Sequence, residues 1–370
     1  MIKLASFRIP LLYAVCAPLL GLSLVHIARA NPEFSQWYAS SAFQIFPNIV
    51  GRLFSLLPFS ALEIGLYLLP LFVIFGILNL IANLFTAEER KRVPQQLLKT
   101  SVTIACFAST ILLMVLLTCS MNYNRNGIAK DIDIVVTASS HEDLVKLTAL
   151  LIDDLAGLST QIQPSTDGTF QMDPVAIKNE SKQAMFSLGE KYSSLSGYYP
   201  NPKPILMSSW MSNINLTGIF SPYTIEANYN QDVPDYLIPY TICHELAHLR
   251  GYIREDEAGF IAYLACSSSD SASLQYSGKL NALSYVLSAL YRDSSKEEYE
   301  RIIATLPEQA RTDLIAEQEY WRQHESTASE IATNANDKYL KANAQSDGVK
   351  SYGRIVDLLL AYHKTNALAV

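Results

Sequence analysis

The chain has 370 residues, 49% of them hydrophobic, and a formal net charge of −7. An acidic chain with no basic stripe argues against nucleic acid as a partner. Its five cysteines, Cys16, Cys106, Cys119, Cys243 and Cys266, are scattered and odd in number, which excludes a disulfide framework and a cysteine-based zinc site.

The hydrophobic content is concentrated at the start. Three uncharged, apolar runs lie within residues 1–125, and each approaches the roughly 20 residues that span a bilayer. They predict transmembrane helices at about 9–28, 64–87 and 100–122, forming a membrane region ahead of a second unit, 126–370. The first run has a second reading. Lys3 and Arg8 precede it and Ala28-Arg29-Ala30 resembles a signal-peptide cleavage site, but the run is long for a signal core and a retained anchor is preferred. Arg90, Lys91, Arg92 and Lys99 lie between runs two and three. With Lys3 and Arg8 they predict a cytoplasmic N-terminus and second loop, and an extracytoplasmic 126–370. Aromatic residues Trp37, Tyr38, Phe43 and Phe46 in the outward loop are expected at the membrane interface.

In the second unit, Ser140 and Asp143 form a capping signal for an amphipathic helix carrying Leu144, Leu147, Leu150 and Leu151. Residues 164–168 read as a loop. Asp173-Pro174 opens another helix, to about residue 193, with proline tolerated at the first helical position. After the turn cluster at 200–204, strands are expected at 205–210 and 216–220. The piece 218–230 is a candidate edge strand, able to hold a substrate backbone by strand addition. Within it, Glu226 and Asn228 are candidates for ordering a site or for capping the next turn.

Pro234 or Pro239 could begin the next helix, which carries His244-Glu245-Leu246-Ala247-His248. Residues four apart share a helix face, so both imidazoles can reach one cation. Zinc would accept each nitrogen at roughly 2.0–2.1 Å, and a glutamate in the second position can take a proton from water activated there. With only 6 histidines in the chain, this pattern rarely arises by accident. Catalytic zinc usually takes three protein ligands. Past Gly251, Glu255 and Glu257 open a further helix and point to nearly opposite sides of it. The Glu255 face continues with small residues, Ala258, Gly259, Ala262 and Cys266, which allow close approach of the motif helix. The Glu257 face continues with Phe260, Ile261 and Leu264. Glu255 is therefore the favoured third ligand and Glu257 the alternate. Cys243 and Cys266 could face one another in the fold, but nothing in the sequence shows it.

Helices are expected at 271–292, 296–306 and 307–326. Residues 328–344 read as a polar linker or a substrate-facing surface, and 351–363 as a closing amphipathic helix. Tyr285, His324 and Tyr352 are candidate donors to an oxyanion.

The run from His244 through Gly251 to Arg254-Glu255-Asp256-Glu257-Ala258 resembles an uncharacterised family of bacterial membrane proteins, domain-of-unknown-function family 3810, regarded as zinc metallopeptidases. Pro222-x-Thr-x-Glu-Ala-Asn228 and Ser351-Tyr-Gly-Arg-x-Val-Asp-Leu-Leu359 are similar to it as well, as is the layout of three N-terminal membrane helices and an outer domain. More distantly, Glu255-x-x-Ala258 is similar to the glutamate segment of gluzincins, where the first glutamate binds zinc and an Asn or Asp follows four residues on. Gly259 stands at that later position here.

The expected fold is mainly α with a small β-sheet, an α+β zincin-like domain behind three transmembrane helices. The expected function is that of a membrane-anchored metallopeptidase of the cell envelope. Its cofactor would be Zn2+, its general base Glu245, its metal ligands His244, His248 and Glu255, and its substrate an envelope or secreted protein or peptide. The alternative is a non-catalytic zinc-binding sensor that signals through the membrane helices.

Overall fold

The computed structural model describes residues 7–85, 87–342 and 353–367. It is mainly helical, with one three-stranded sheet.

Three helices are long and apolar enough to cross a membrane: Arg8–Ala30, Ala61–Asn83 and Val93–Asn124. The second ends four residues earlier than the sequence reading, and the third starts seven earlier. The first and third run parallel and pack together. Cys106 Sγ meets the Pro10 carbonyl at 3.2 Å, Ser109 Oγ donates to the Ala14 carbonyl at 2.7 Å, and a Cβ at Gly21 would stand 2.7 Å from a Leu116 methyl. The second is different. Its hydrophobic window is 0% buried among the described residues.

The stretch between the first two spans folds as short helical pieces against the rest of the protein. Tyr38 and Phe43 turn inward and are buried, contrary to the interfacial role expected for them. Of the other two aromatics expected there, Trp37 is exposed and Phe46 half-buried; Ile45, Ile49, Leu53 and Leu56 join Trp37 on the surface. The reason is spacing: residues three or four apart share one helical face, and that face is the outer one.

The second unit is built around the motif helix, Leu237–His248. Pro239 sits in its first turn, where the missing N–H is of no consequence, so neither proline kinks it. Helices Pro174–Lys191, Glu255–Ser267 and Ala272–Asp293 pack on it, with His141–Ser159 behind the last of these. The predicted capping box at Ser140 and Asp143 is present, and Asp173 accepts from the Val175 and Ala176 amides.

The sheet has strands β1 (Lys203–Pro204), β2 (Gly218–Ser221) and β3 (Glu226–Tyr229), in the order β1-β3-β2. The strand expected at 205–210 does not form; Ser208–Ser212 is helical. Ile205 makes one further strand bond to Tyr229, but the Leu206 and Met207 amides are diverted to the Glu63 carboxylate at 2.9 Å each. The piece 218–230 is likewise a hairpin rather than one edge, with β2 at the edge and β3 central. Residues 328–342, expected as part of a polar linker or a substrate-facing surface, lie in the helix Thr327–Ala342.

The boundary at 125/126 is crossed by one continuous core. Cys119 and Tyr123, from the end of the third span, belong to the same buried cluster as Leu144, Leu246 and Leu283. Arg125 donates to the Arg250 carbonyl at 2.7 Å, pairs with Asp131, and stacks on the Tyr252 ring.

Candidate metal centre

His244 and His248 lie one turn apart on the motif helix, with ring centroids 4.8 Å apart. The chain then turns back at Gly251, whose φ of +83° suits glycine, and Glu255 opens the next helix. Glu255 Oε2 stands 2.9 Å from His244 Nε2 and 3.8 Å from His248 Nε2. The three ligand atoms lie within 4.8 Å of one another. Tetrahedral zinc, with bonds of roughly 2.0–2.2 Å, sets its ligand atoms about 3.3 Å apart, and the two histidine–glutamate distances bracket that value.

The protonation of His248 suits a cation. His248 Nδ1 faces the Tyr252 carbonyl at 2.7 Å, so Nδ1–H donates there and the Nε2 lone pair is turned to Glu255. Burial holds this imidazole down to about 4 and therefore neutral. Burial also works against the charged form of His244, but the Glu255 hydrogen bond and charge outweigh it and raise the group. Burial pushes the Glu245 carboxyl up to about 8; His244 opposes this, Glu255 adds to it, and a hydrogen bond from the Phe220 amide opposes it.

Glu245 is held against β2. A Cβ at Gly218 would stand 2.5 Å from Glu245 Oε1, so only glycine lets the strand come this close. Asn228 does not reach the cluster. Its side-chain amide donates to the Ile219 carbonyl at 3.3 Å and so fixes β2 from the neighbouring strand. Glu226 is also remote in role. It accepts from the Ala61 and Leu62 amides at 3.0 and 3.1 Å, from Thr224 and from Lys203, and thus caps the second apolar helix. The alternate ligand Glu257 points away from the histidines. It accepts from the Ile128 amide at 3.2 Å and pairs with Arg254, and burial lifts it to about 7. The small face read from the sequence is what brings the two helices together: a Cβ at Gly259 would meet the Tyr240 hydroxyl at 2.8 Å and lie 3.9 Å from His244 Nδ1. The Tyr240 phenol therefore occupies the ground that an Asn or Asp at this position would take.

The residue range 38–360 matches the family described as "Protein of unknown function (DUF3810)". The chain belongs to this family. No curated protein and no solved structure matches it.

The cluster opens on a cavity of about 870 Å³. Tyr285 lines it, with its hydroxyl against that of Tyr240, and burial together with the Glu255 charge raises the phenol to about 12. His324 is elsewhere, with Nδ1 2.8 Å from the Tyr320 carbonyl. Tyr352 lies outside the described residues. Helix Thr327–Ala342 contributes Thr333, Asn336 and Tyr339 to the cavity wall, so this polar stretch faces the site. Sequence reasoning missed Tyr240 and Gly218 as site residues; the helical spacing of Tyr240 and His244, four apart, was the available signal for the first. The Cys243 and Cys266 sulfurs sit 3.7 Å apart as free, buried thiols behind the motif.

Proposed function

We propose that this protein is a membrane-anchored zinc metallopeptidase with a zincin-like site. The observation that carries the reading is the convergence of His244 Nε2, His248 Nε2 and Glu255 on one point, with Glu245 beside them at the wall of a large cavity. Two imidazoles and a carboxylate are a ligand set that suits zinc. The bound cation would supply Lewis acidity, polarising the scissile carbonyl and acidifying water.

The chain's own residues do the rest. Glu245, in its ionised form, accepts a proton from water as its oxygen attacks the peptide carbonyl carbon. As the C–N bond breaks, Glu245 returns that proton to the leaving nitrogen. Tyr285 is the hydroxyl donor suited to the developing oxyanion. β2, an edge strand beside Glu245, offers backbone groups to an extended substrate. The basic residues between the second and third spans favour a cytoplasmic loop there, which directs the site outward, toward envelope or secreted proteins. The Glu226 cap on the second span favours one other reading, a zinc-dependent sensor that moves that helix.

One experiment separates these. Full-length protein is isolated in detergent, its metal content measured, and cleavage of a mixed peptide library followed by mass spectrometry. We expect about one zinc per chain and cleavage. Glu245→Gln retains the metal and loses cleavage by about 10²–10⁴-fold; His248→Ala loses both. A metal-loaded protein that cleaves nothing, with its cellular function spared by Glu245→Gln, favours the sensor.

A further inference from the structure

The cavity is walled in part by the membrane helices. Leu62, in the first turn of the second span, and Val115 and Cys119, near the end of the third, line it together with Ile219, Phe220 and Pro222. Thr118, on the third span, donates to the Pro222 carbonyl at 3.2 Å, which ties the β2–β3 hairpin to that helix. The site is therefore at the level where the spans end, not on a stalk above them.

Two further features point the same way. The second apolar helix leaves its whole hydrophobic window unburied while the first and third pack together, and Leu62 and Val115, from the second and third, both line the cavity. Around the outer end of the second span the surface is apolar and exposed, through Leu53, Leu56, Leu206, Met207 and Trp210. The Leu206 and Met207 backbone is bonded to Glu63, one residue past Leu62, which fixes this apolar rim at the head of the helix. Exposed apolar residues at that level are seated in lipid at no hydration cost.

Resting on the peptidase reading above, we propose that the substrate is a polypeptide anchored in the same bilayer. Its extended segment just outside its own transmembrane stretch enters between the outer ends of the second and third spans and lies along β2. A freely diffusing soluble peptide has no use for a cavity wall supplied by Leu62 and Val115, at the ends of two apolar helices. A membrane-held segment reaches Glu245 without leaving the surface.

The test uses the full-length protein in phospholipid nanodiscs. One mixed peptide library is presented in three forms: fused directly to a single polyleucine span, fused to it through a flexible linker of about 40 residues, and free in solution. The direct fusion should be cleaved at least tenfold faster than the long-linker fusion, although both have the same surface concentration. Leu62→Trp, which narrows the cavity at this wall, should lower that ratio at least threefold with bound zinc retained. Equal rates for the direct and long-linker forms overturn the proposal and leave the peptidase reading standing. Release of fatty acid or headgroup from the nanodisc lipid without peptide cleavage makes lipid the substrate and overturns it too. A zinc-loaded protein that cleaves no form overturns the peptidase reading itself.

Discussion

Two carboxylates, Glu226 on the central strand β3 and Glu255 at the head of the helix after the motif, are built for different ends. Glu226 is saturated: two backbone amides, the Lys203 ammonium and the Thr224 hydroxyl all donate to it. Its charge is consumed in joining the strand to the head of a membrane helix. Glu255 faces two imidazoles across 2.9 and 3.8 Å, and one of these has its remaining nitrogen turned to a carbonyl. A carboxylate surrounded by donors is a joint. A carboxylate that meets nitrogen lone pairs needs a cation or a proton between them.

That contrast can be broken by substitution. The largest effect is expected at the second site, where Glu255→Gln should weaken zinc binding by more than about 100-fold, the upper end for loss of a supporting group. Glu257→Gln, two residues away but bonded to Ile128 and Arg254, should change it by less than tenfold; titration against a competing chelator reads both. At the joint, Glu226→Ala strands a buried ammonium and two helix-start amides and should cost about 3–5 kcal/mol, measured by denaturant unfolding in micelles. Gly218→Ala sharpens the comparison, because the new methyl would stand 2.5 Å from Glu245 Oε1, 2.7 Å from the Thr241 methyl and 2.8 Å from Glu245 Cγ. Pushing β2 off the motif helix should lower stability by about 1–3 kcal/mol, and cleavage should fall about 10- to 100-fold from misplacement of the base.

The smallest effect lies away from both sites. His141 bridges Asp293 and Glu298 at an exposed helix junction, and its hydrogen bonds to Glu298 and then to Asp293 raise it above its ordinary value of 6.5. The folded state therefore holds this proton more tightly than the unfolded chain. Its stabilisation is complete below 6.5 and fades as pH rises through the folded value. Comparing Tm at pH 6 and 8.5 for the native chain and His141→Gln should show a small extra loss in the native chain alone.

What the sequence makes legible is local. A four-residue repeat of histidine on a helix, and a small-residue face following one glutamate but not the other, are statements about neighbours along one chain segment; the structure brings His244, His248 and Glu255 together and turns Glu257 away. The spans were equally readable, since twenty uncharged residues suffice to suggest them. What was hidden is long-range. Glu226 is 165 residues from the Ala61 amide it caps. The amides of Leu206 and Met207 leave the sheet for Glu63, more than 140 residues earlier, and no propensity at 205–210 could reveal it. Tyr38 and Phe43 have the chemistry of interface anchors but sit on the inner side of their turns.

The turn at residues 249–252 has a consequence for the order in which the protein matures. Its Arg250 carbonyl accepts from Arg125, Gly251 lies against Asn122, and Arg254 reaches back to the Tyr123 carbonyl, all at the close of the third apolar helix. That turn carries the carbonyl that orients His248 and leads directly into Glu255. A nascent chain whose third apolar helix is not yet in place lacks the clasp that sets these groups, so the histidine–glutamate cluster and the docking of that helix are completed together, and a fragment cut ahead of residue 126 leaves its clasp behind.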